Sequence, residues 1–461
     1  MFRKLISLSL FLLANSLSVH AQDITGSWMG TISFMGKNLR VIFHFKEDEN
    51  KDITATMDSP DQGVMGVPVK DVMLLDDDLL IDMPKFKAQY SGKYKKDSLC
   101  FVGALEQGSF RLPLKLKKRL TDEPLFNRPQ TPKPPFPYLT EEVKIENRKG
   151  NLTLAGTLTK PNGNGKYAAV ILITGSGPED RDETIFEHKP FFILSDELTK
   201  KGFAVLRCDD RGTAKSTGVY ENSTVDDFAT DVDAQIDFLK TRKDIDTKKI
   251  GLLGHSEGGV IGPLVASRRK DIAFIVMLAG PGIDFFDLLL AQDSLTLKAE
   301  GAPREKINES IRMNKELYRI LKTEKDSLSS AEEMKKVIAD DFDYKDEIVV
   351  STIETLNSRW MRWYISYNPS ATLQKIKCPV LAINGDKDVQ VPAKTNLDAI
   401  EKALMEGGNK KFEVKILHGL NHLFQLCKTG AFSEYSTIEE TMSPIVMNTI
   451  DEWMEKNILR K

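Results

Sequence analysis

Apolar and polar positions recur along this chain with two different periods, and the change of period divides it. Leu39, Val41, Phe43 and Phe45 alternate with Arg40, Ile42 and His44, and Leu112, Leu114 and Leu116 alternate with Pro113, Lys115 and Lys117. A period of two turns one face of each strand toward a core. Residues 22–120 are therefore expected to form a small all-β domain, broken by turns at Gly36-Lys37-Asn38 and from Glu47 to Asp52. Trp28 is expected to plug one end of it. Residues 121–140 hold Pro124, Pro129, Pro132, Pro134, Pro135 and Pro137, a density that favours extended polyproline and reads as a semi-rigid spacer.

From Glu142 the pattern changes to strands alternating with helices. Val143 to Asn147 and Leu152 to Leu158 read as an antiparallel pair. Ala168 to Thr174, Phe203 to Arg207, Ile250 to Leu253, Ile272 to Leu278 and Val380 to Ile383 are unbroken apolar runs, the signature of parallel strands buried on both faces. Val225, Phe228, Ala229, Val232, Ile236 and Leu239 follow helical spacing, and Ser443-Pro444 opens a closing helix. The fold class is thus α/β, a doubly wound and mostly parallel sheet over residues 141–461, with the all-β domain before it. A long helical insertion, about 284–370, carries Trp360, Trp363, Tyr364 and Tyr367 on one face and is expected to cap the sheet edge. That aromatic stripe suits either core packing or a substrate wall.

The length of 461 residues fits two domains. A net charge of −3 with scattered Lys and Arg gives no basic stripe, so nucleic acid is not an expected partner. Met1 to Ala21 joins Arg3 and Lys4 to an apolar stretch, Leu5 to Leu13, and ends in Val19-His20-Ala21. That is the layout of a signal peptide cut before Gln22, which implies a periplasmic or secreted protein. No Leu-x-x-Cys follows and no later apolar run is long enough to span a bilayer, so no stable membrane anchor is expected. Cys100, Cys208, Cys378 and Cys427 lack metal-like spacing and read as small buried hydrophobes.

The chemistry concentrates at Gly254-His255-Ser256-Glu257-Gly258, where an apolar strand passes into a helix. In a G-x-S-x-G turn the glycines let strand and helix cross closely and the serine hydroxyl is pushed out at the apex. A serine hydroxyl needs a base, and the base an orienting carboxylate. After Ser256 the histidines are His418 and His422, and Asp386 and Asp388 follow a buried strand at the end where open α/β sheets place their sites.

Residues from about Glu142 to Lys461 resemble the α/β-hydrolase superfamily, especially its secreted bacterial esterases and the serine-aminopeptidase-like and prolyl-oligopeptidase-like branch. The family's G-x-x-D-x-x-V pattern is matched by Gly385, Asp388 and Val391, and its G-x-x-H-x-F by Gly419, His422 and Phe424. The resemblance therefore implies Ser256 as nucleophile, His422 as base and Asp388 as acid, with Asp386 the rival acid. Thr174-Gly175-Ser176-Gly177 stands where the family carries its oxyanion loop, which implies the backbone N–H groups of Glu257 and of Ser176 or Gly177 as donors. Asp209-Asp210-Arg211-Gly212 resembles a structural turn bracing that loop, with Ala214 where the family has a glycine. Pro178 to Glu183 reads as a self-paired surface loop or as a reader of substrate charge, for instance through Arg181.

No metal-ligand spacing and no nucleotide loop is present, so no cofactor and no metal is expected. The expected activity is hydrolysis of small-molecule carboxylic esters through an acyl-enzyme. The alternatives are a serine peptidase or aminopeptidase acting on short peptides, and a non-catalytic binding protein with a vestigial hydrolase domain.

Overall fold

A computed structural model describes residues 23–34, 37–50, 52–62, 64–108, 110–119, 124–324, 326–339 and 347–459. The stretch read as a signal peptide, 1–21, lies outside them. The chain separates into two compact units, 1–123 and 124–461.

In the first unit the period of two produces an antiparallel sheet. Its strands are β1 (Gly26–Phe34), β2 (Lys37–Glu47), β3 (Ile53–Ser59), β4 (Val64–Pro68), β5 (Asp71–Leu75), β6 (Asp78–Met83), β7 (Ala88–Lys95), β8 (Cys100–Gln107) and β9 (Phe110–Lys118). They are ordered β4-β3-β2-β1-β9-β8-β7-β6-β5. One face buries Trp28, Phe43, Phe45, Tyr90, Phe101 and Leu116. Trp28 is 1 % exposed, donates its indole N–H to the Ile24 carbonyl at 2.8 Å and meets Phe101 edge-on. Ser27, His44 and Asp58 form a polar ladder across β1, β2 and β3, with 2.7 Å contacts at both imidazole nitrogens.

The second unit is built on β10 (Tyr138–Asn147), β11 (Leu152–Pro161), β12 (Tyr167–Ile173), β13 (Ala204–Cys208), β14 (Ile245–His255), β15 (Phe274–Leu278), β16 (Val380–Gly385) and β17 (Phe412–Leu417). Their order is β10-β11-β13-β12-β14-β15-β16-β17. β10 and β11 run antiparallel to their neighbours, and β12 to β17 are parallel. Each apolar run becomes a strand buried on both faces because helices cover both. Helices α2 (Val225–Thr241), α3 (Gly258–Arg268) and α10 (Ala393–Glu406) pack on one side, and α1 (Pro190–Lys200) and α11 (Pro444–Met454) on the other. Each fully buried Leu, Ile or Phe in these layers contributes about 1.5–3 kcal/mol. A capping box of Thr224 and Asp227 starts α2, and Ser443 and Pro444 start α11.

Between β15 and β16 the insertion forms α4 (Phe285–Ala299), α5 (Arg304–Thr323), α6 (Ser327–Ala339), α7 (Glu347–Leu356), α8 (Arg359–Ser366) and the short α9 (Ser370–Leu373). Among the described residues no helix is long and apolar enough to cross a membrane. All four cysteines are free thiols, and Cys100, Cys208 and Cys427 are buried.

The proline-rich stretch differs from the expected spacer. From Pro124 onward it belongs to the second unit. Arg128 donates to the carbonyls of Phe186, Ser436 and Ile438, while Gln130 bridges Thr441 and Met442. The Glu187 carboxylate accepts the N–H groups of Leu125 and Phe126. Between the prolines the backbone runs through bends and a turn at Arg128–Thr131, and the polar side chains there bind carbonyls of the second unit.

Candidate active site

The turn that carries Ser256 closes because two glycines permit it. A Cβ on Gly254 would lie 2.0 Å from the Gly258 carbonyl oxygen, and one on Gly258 would lie 2.1 Å from that of Ile173. β14 therefore runs straight into α3, and Ser256 sits between them at φ 52°, a left-handed conformation that a non-glycine residue adopts under constraint. Its own N–H is held by the Leu278 carbonyl of β15 at 2.8 Å.

The two Asp–His alternatives left by the sequence separate in space. Asp388 Oδ2 lies 2.7 Å from His422 Nδ1, and both side chains are buried. Its other oxygen accepts the N–H groups of Gln390 and Val391, each at 2.8 Å, which fixes the carboxylate after β16. Asp386 instead pairs with exposed His418 at 3.0 Å and accepts the Gly419 N–H. With Asp388 accepting from Nδ1, the Nε2 of His422 presents a lone pair. Among the described residues neither that nitrogen nor the Ser256 hydroxyl has a hydrogen-bond partner. The two loops touch through His255, whose ring centroid is 4.8 Å from that of His422 and whose Nε2 lies 3.0 Å from the His422 carbonyl oxygen.

On the other side stands the loop after β12. Gly177 donates its N–H to the Tyr220 hydroxyl at 2.8 Å, so of the two candidate donors it is the engaged one. The N–H groups of Ser176 and Glu257 carry no hydrogen bond to a described residue. The Asp209-Asp210-Arg211 turn braces this loop: Asp210 accepts from the Thr174 hydroxyl and the Glu179 N–H, and Arg211 is paired with buried Asp231. Ala214 occupies φ 48°, the left-handed position where the resemblance expects glycine.

Arg181 does not face a substrate. It forks onto Asp209 and reaches Glu142 and Thr157, while Asp182 pairs with buried Arg207. The charged loop is spent on the fold.

Three side chains stand around the serine with contacts that sequence reasoning did not assign. Glu257 is 1 % exposed, and burial raises its carboxyl to about 8. Trp360 of α8 donates its indole N–H to Glu257 at 2.6 Å, which places the aromatic stripe of the insertion against the nucleophile turn. Glu183, at φ 55° and buried, contacts His255 Nδ1 at 2.8 Å and accepts the Gly175 N–H. Periodicity carries no signal for such contacts, because each joins residues far apart in the chain. Among the described residues no group of His, Cys, Asp and Glu is arranged to hold a metal ion.

Comparison with known proteins identifies a family. The chain is 26 % identical over 270 residues to esterase EstD of Thermotoga maritima, covering 59 % of this chain and 58 % of that protein. The match thus spans somewhat over half the length of that relative. Among solved structures, the Pyrococcus furiosus esterase Pf2001 aligns with TM-score 0.45 at 18 % identity, over 72 % of this chain and 98 % of that one. Est1E of Butyrivibrio proteoclasticus aligns with TM-score 0.42 at 19 % identity, over 69 % and 99 %. The family model described as serine aminopeptidase, S33, matches residues 189–426, which hold Ser256, Asp388 and His422. With more than half of its length matched, the chain belongs to the serine aminopeptidase S33 family, on an α/β-hydrolase fold.

Proposed function

We propose that the protein is a serine hydrolase of small carboxylic esters. The observation that carries the reading is the buried Asp388–His422 pair, 2.7 Å apart, on a loop in direct contact with the strained turn that presents Ser256. His422 Nε2 takes the Ser256 proton as Oγ attacks the ester carbonyl, and Asp388 holds the imidazole and stabilises its charged form. The N–H groups of Glu257 and Ser176 receive the oxyanion. His422 then returns the proton to the leaving alcohol, and a water activated in the same way releases the acid.

The family description and the esterase relative favour two related readings, so peptide hydrolysis is kept beside ester hydrolysis. The acidic loop offers it little support, because Asp182 and Glu183 are already occupied by Arg207 and His255. The signal-peptide layout of residues 1–21 supports a periplasmic or secreted location as part of this reading. Purified protein should cleave p-nitrophenyl acetate and butyrate and label at Ser256 with a fluorophosphonate. A strong preference for aminoacyl p-nitroanilides would replace the ester reading with the peptidase one, and no labelling would remove both.

A further inference from the structure

His255 precedes the nucleophile, and both of its ring nitrogens are occupied. Nδ1 lies 2.8 Å from Glu183 Oε1, and Nε2 lies 3.0 Å from the backbone carbonyl oxygen of His422. The same Oε1 accepts the Gly175 N–H at 3.1 Å. A carbonyl oxygen can only accept, so Nε2 carries a proton. An imidazolium against a carboxylate makes every one of these contacts a donor facing an acceptor, with Oε1 accepting from both Nδ1 and Gly175. Burial opposes that charge, but the Glu183 carboxylate and its hydrogen bond raise the pKa of His255 above the ordinary histidine value, with the His422 carbonyl and the charge of Asp388 acting the same way.

We propose, on the ester-hydrolase reading above, that Glu183 and His255 are positioning residues: their ion pair ties the oxyanion loop at Gly175 to the backbone of the loop carrying His422. The segments joined are the loop after β12, the last residue of β14 and the loop after β17, and this chain of hydrogen bonds links them next to Ser256 in the sequence. On one side the buried Glu179 carboxyl shares the Gly175 N–H, at 3.1 Å, and the other side is apolar. Phe191, Leu278, Leu423 and Phe424 line the space around the pair, so water does not compete for its hydrogen bonds.

A buried ion pair is a poor way to gain stability, since desolvation cancels much of its attraction, and apolar residues of similar volume serve as well. Glu183 also holds a left-handed φ of 55° while buried, a conformation that persists only where the surroundings enforce it. Both features make sense if the pair sets geometry. A displacement of about 1 Å between base, nucleophile and oxyanion donors costs on the order of 100-fold in rate.

The test uses the full-length processed protein and p-nitrophenyl butyrate, with thermal unfolding followed in parallel. Glu183→Gln keeps the shape and an acceptor for Gly175 but removes the charge, and His255→Gln removes the second link. Each is expected to lower kcat by about 10- to 100-fold with KM within about twofold, and to slow fluorophosphonate labelling of Ser256 in proportion. The double variant should be no slower than the slower single one, because one chain of contacts is broken once. If one single variant fails to fold, the other carries the same expectation.

Unchanged kcat, independent losses that multiply in the double variant, or a rate loss that vanishes on cooling alongside a lowered unfolding temperature would each overturn the relay. Wild-type turnover is read separately. An inactive wild type removes the esterase reading itself, whereas an active wild type with unaltered variants removes only the relay.

Discussion

Trp360 of the helical insertion donates its indole N–H to Glu257, the residue that follows Ser256, at 2.6 Å. The insertion therefore contacts the residue proposed to donate one of the oxyanion hydrogen bonds. Burial brings the Glu257 carboxyl to about 8, the Trp360 hydrogen bond pulls it down, and the charge of Asp210 pushes it up. Tyr220, Tyr364 and Glu179 also feel its charge; burial holds both phenols well above their ordinary range, so they stay neutral, and burial likewise raises the Glu179 carboxyl. At neutral pH Glu257 is protonated. Its ionisation would set a negative charge beside the developing oxyanion, so ester turnover is expected to fall as pH rises through about 8. Glu257→Gln should abolish that alkaline fall. Trp360→Phe, which removes the hydrogen bond that lowers the carboxyl, should move it to higher pH. Profiles of kcat against pH for the three proteins measure both effects.

The same carboxyls set the pH dependence of stability. The folded state raises Glu257 from 4.5 to about 8 and Asp210 from 3.8 to about 7, in both cases chiefly through burial. A group whose folded pKa is raised contributes stability that is complete below its unfolded pKa and is lost as pH climbs to the folded one. Unfolding temperature is therefore expected to decline between about pH 5 and pH 8, and the slope should be shallower in Glu257→Gln. Calorimetry across that range checks it; a flat profile in the wild type would show that the buried acids relax on ionisation.

Ser256→Ala and His422→Ala should each reduce kcat by about 10⁴-fold or more; Ser256→Ala should leave the unfolding temperature nearly unchanged, whereas His422→Ala, which strips buried Asp388 of its partner, should lower it. Asp388→Asn is expected to cost about 10³- to 10⁴-fold, since it removes the charge that orients the imidazole. Asp386→Asn, whose partner His418 is exposed, should stay within about threefold. Steady-state ester kinetics rank the four variants, and a larger loss at Asp386 than at Asp388 would reverse the assignment of the acid.

Gly254→Ala is the sharpest structural test. The added methyl would meet the backbone of Gly258 at 2.0 Å, where no side-chain rotation can relieve it. A loss of about 3 kcal/mol or more in urea unfolding is expected, with turnover abolished in whatever fraction folds.

Much of this was readable from the chain because the signals were local. β12, β14, β15 and β16 announced themselves as unbroken apolar runs, and the crossing of β14 with α3 was written into Gly254 and Gly258. The preference for Asp388 over Asp386 came from the resemblance to the family's G-x-x-D-x-x-V pattern, whose last position is Val391, the residue that donates its N–H to Asp388. What stayed hidden depends on contacts between distant positions. Glu183 and His255 are 72 residues apart, and Trp360 and Glu257 are 103 apart. Arg181 read either as paired within its own loop or as a reader of substrate charge, yet the strand-end Asp209 that claims it comes 28 residues later. Composition also misread residues 124–137, where prolines announced a spacer but Arg128 and Gln130 do the binding.

That binding changes where the chain can be divided. Arg128 and Gln130 act as a buckle across two surface loops, 183–188 and 436–442, the first of which carries Glu183. A hydrolase fragment started at Glu142, where the strand pattern begins, would strand the Glu187 carboxylate and the Phe186 carbonyl without the partners that now hold them. The serviceable cut lies ahead of Pro124, and a protease clipping behind it would loosen the catalytic unit rather than merely release its neighbour.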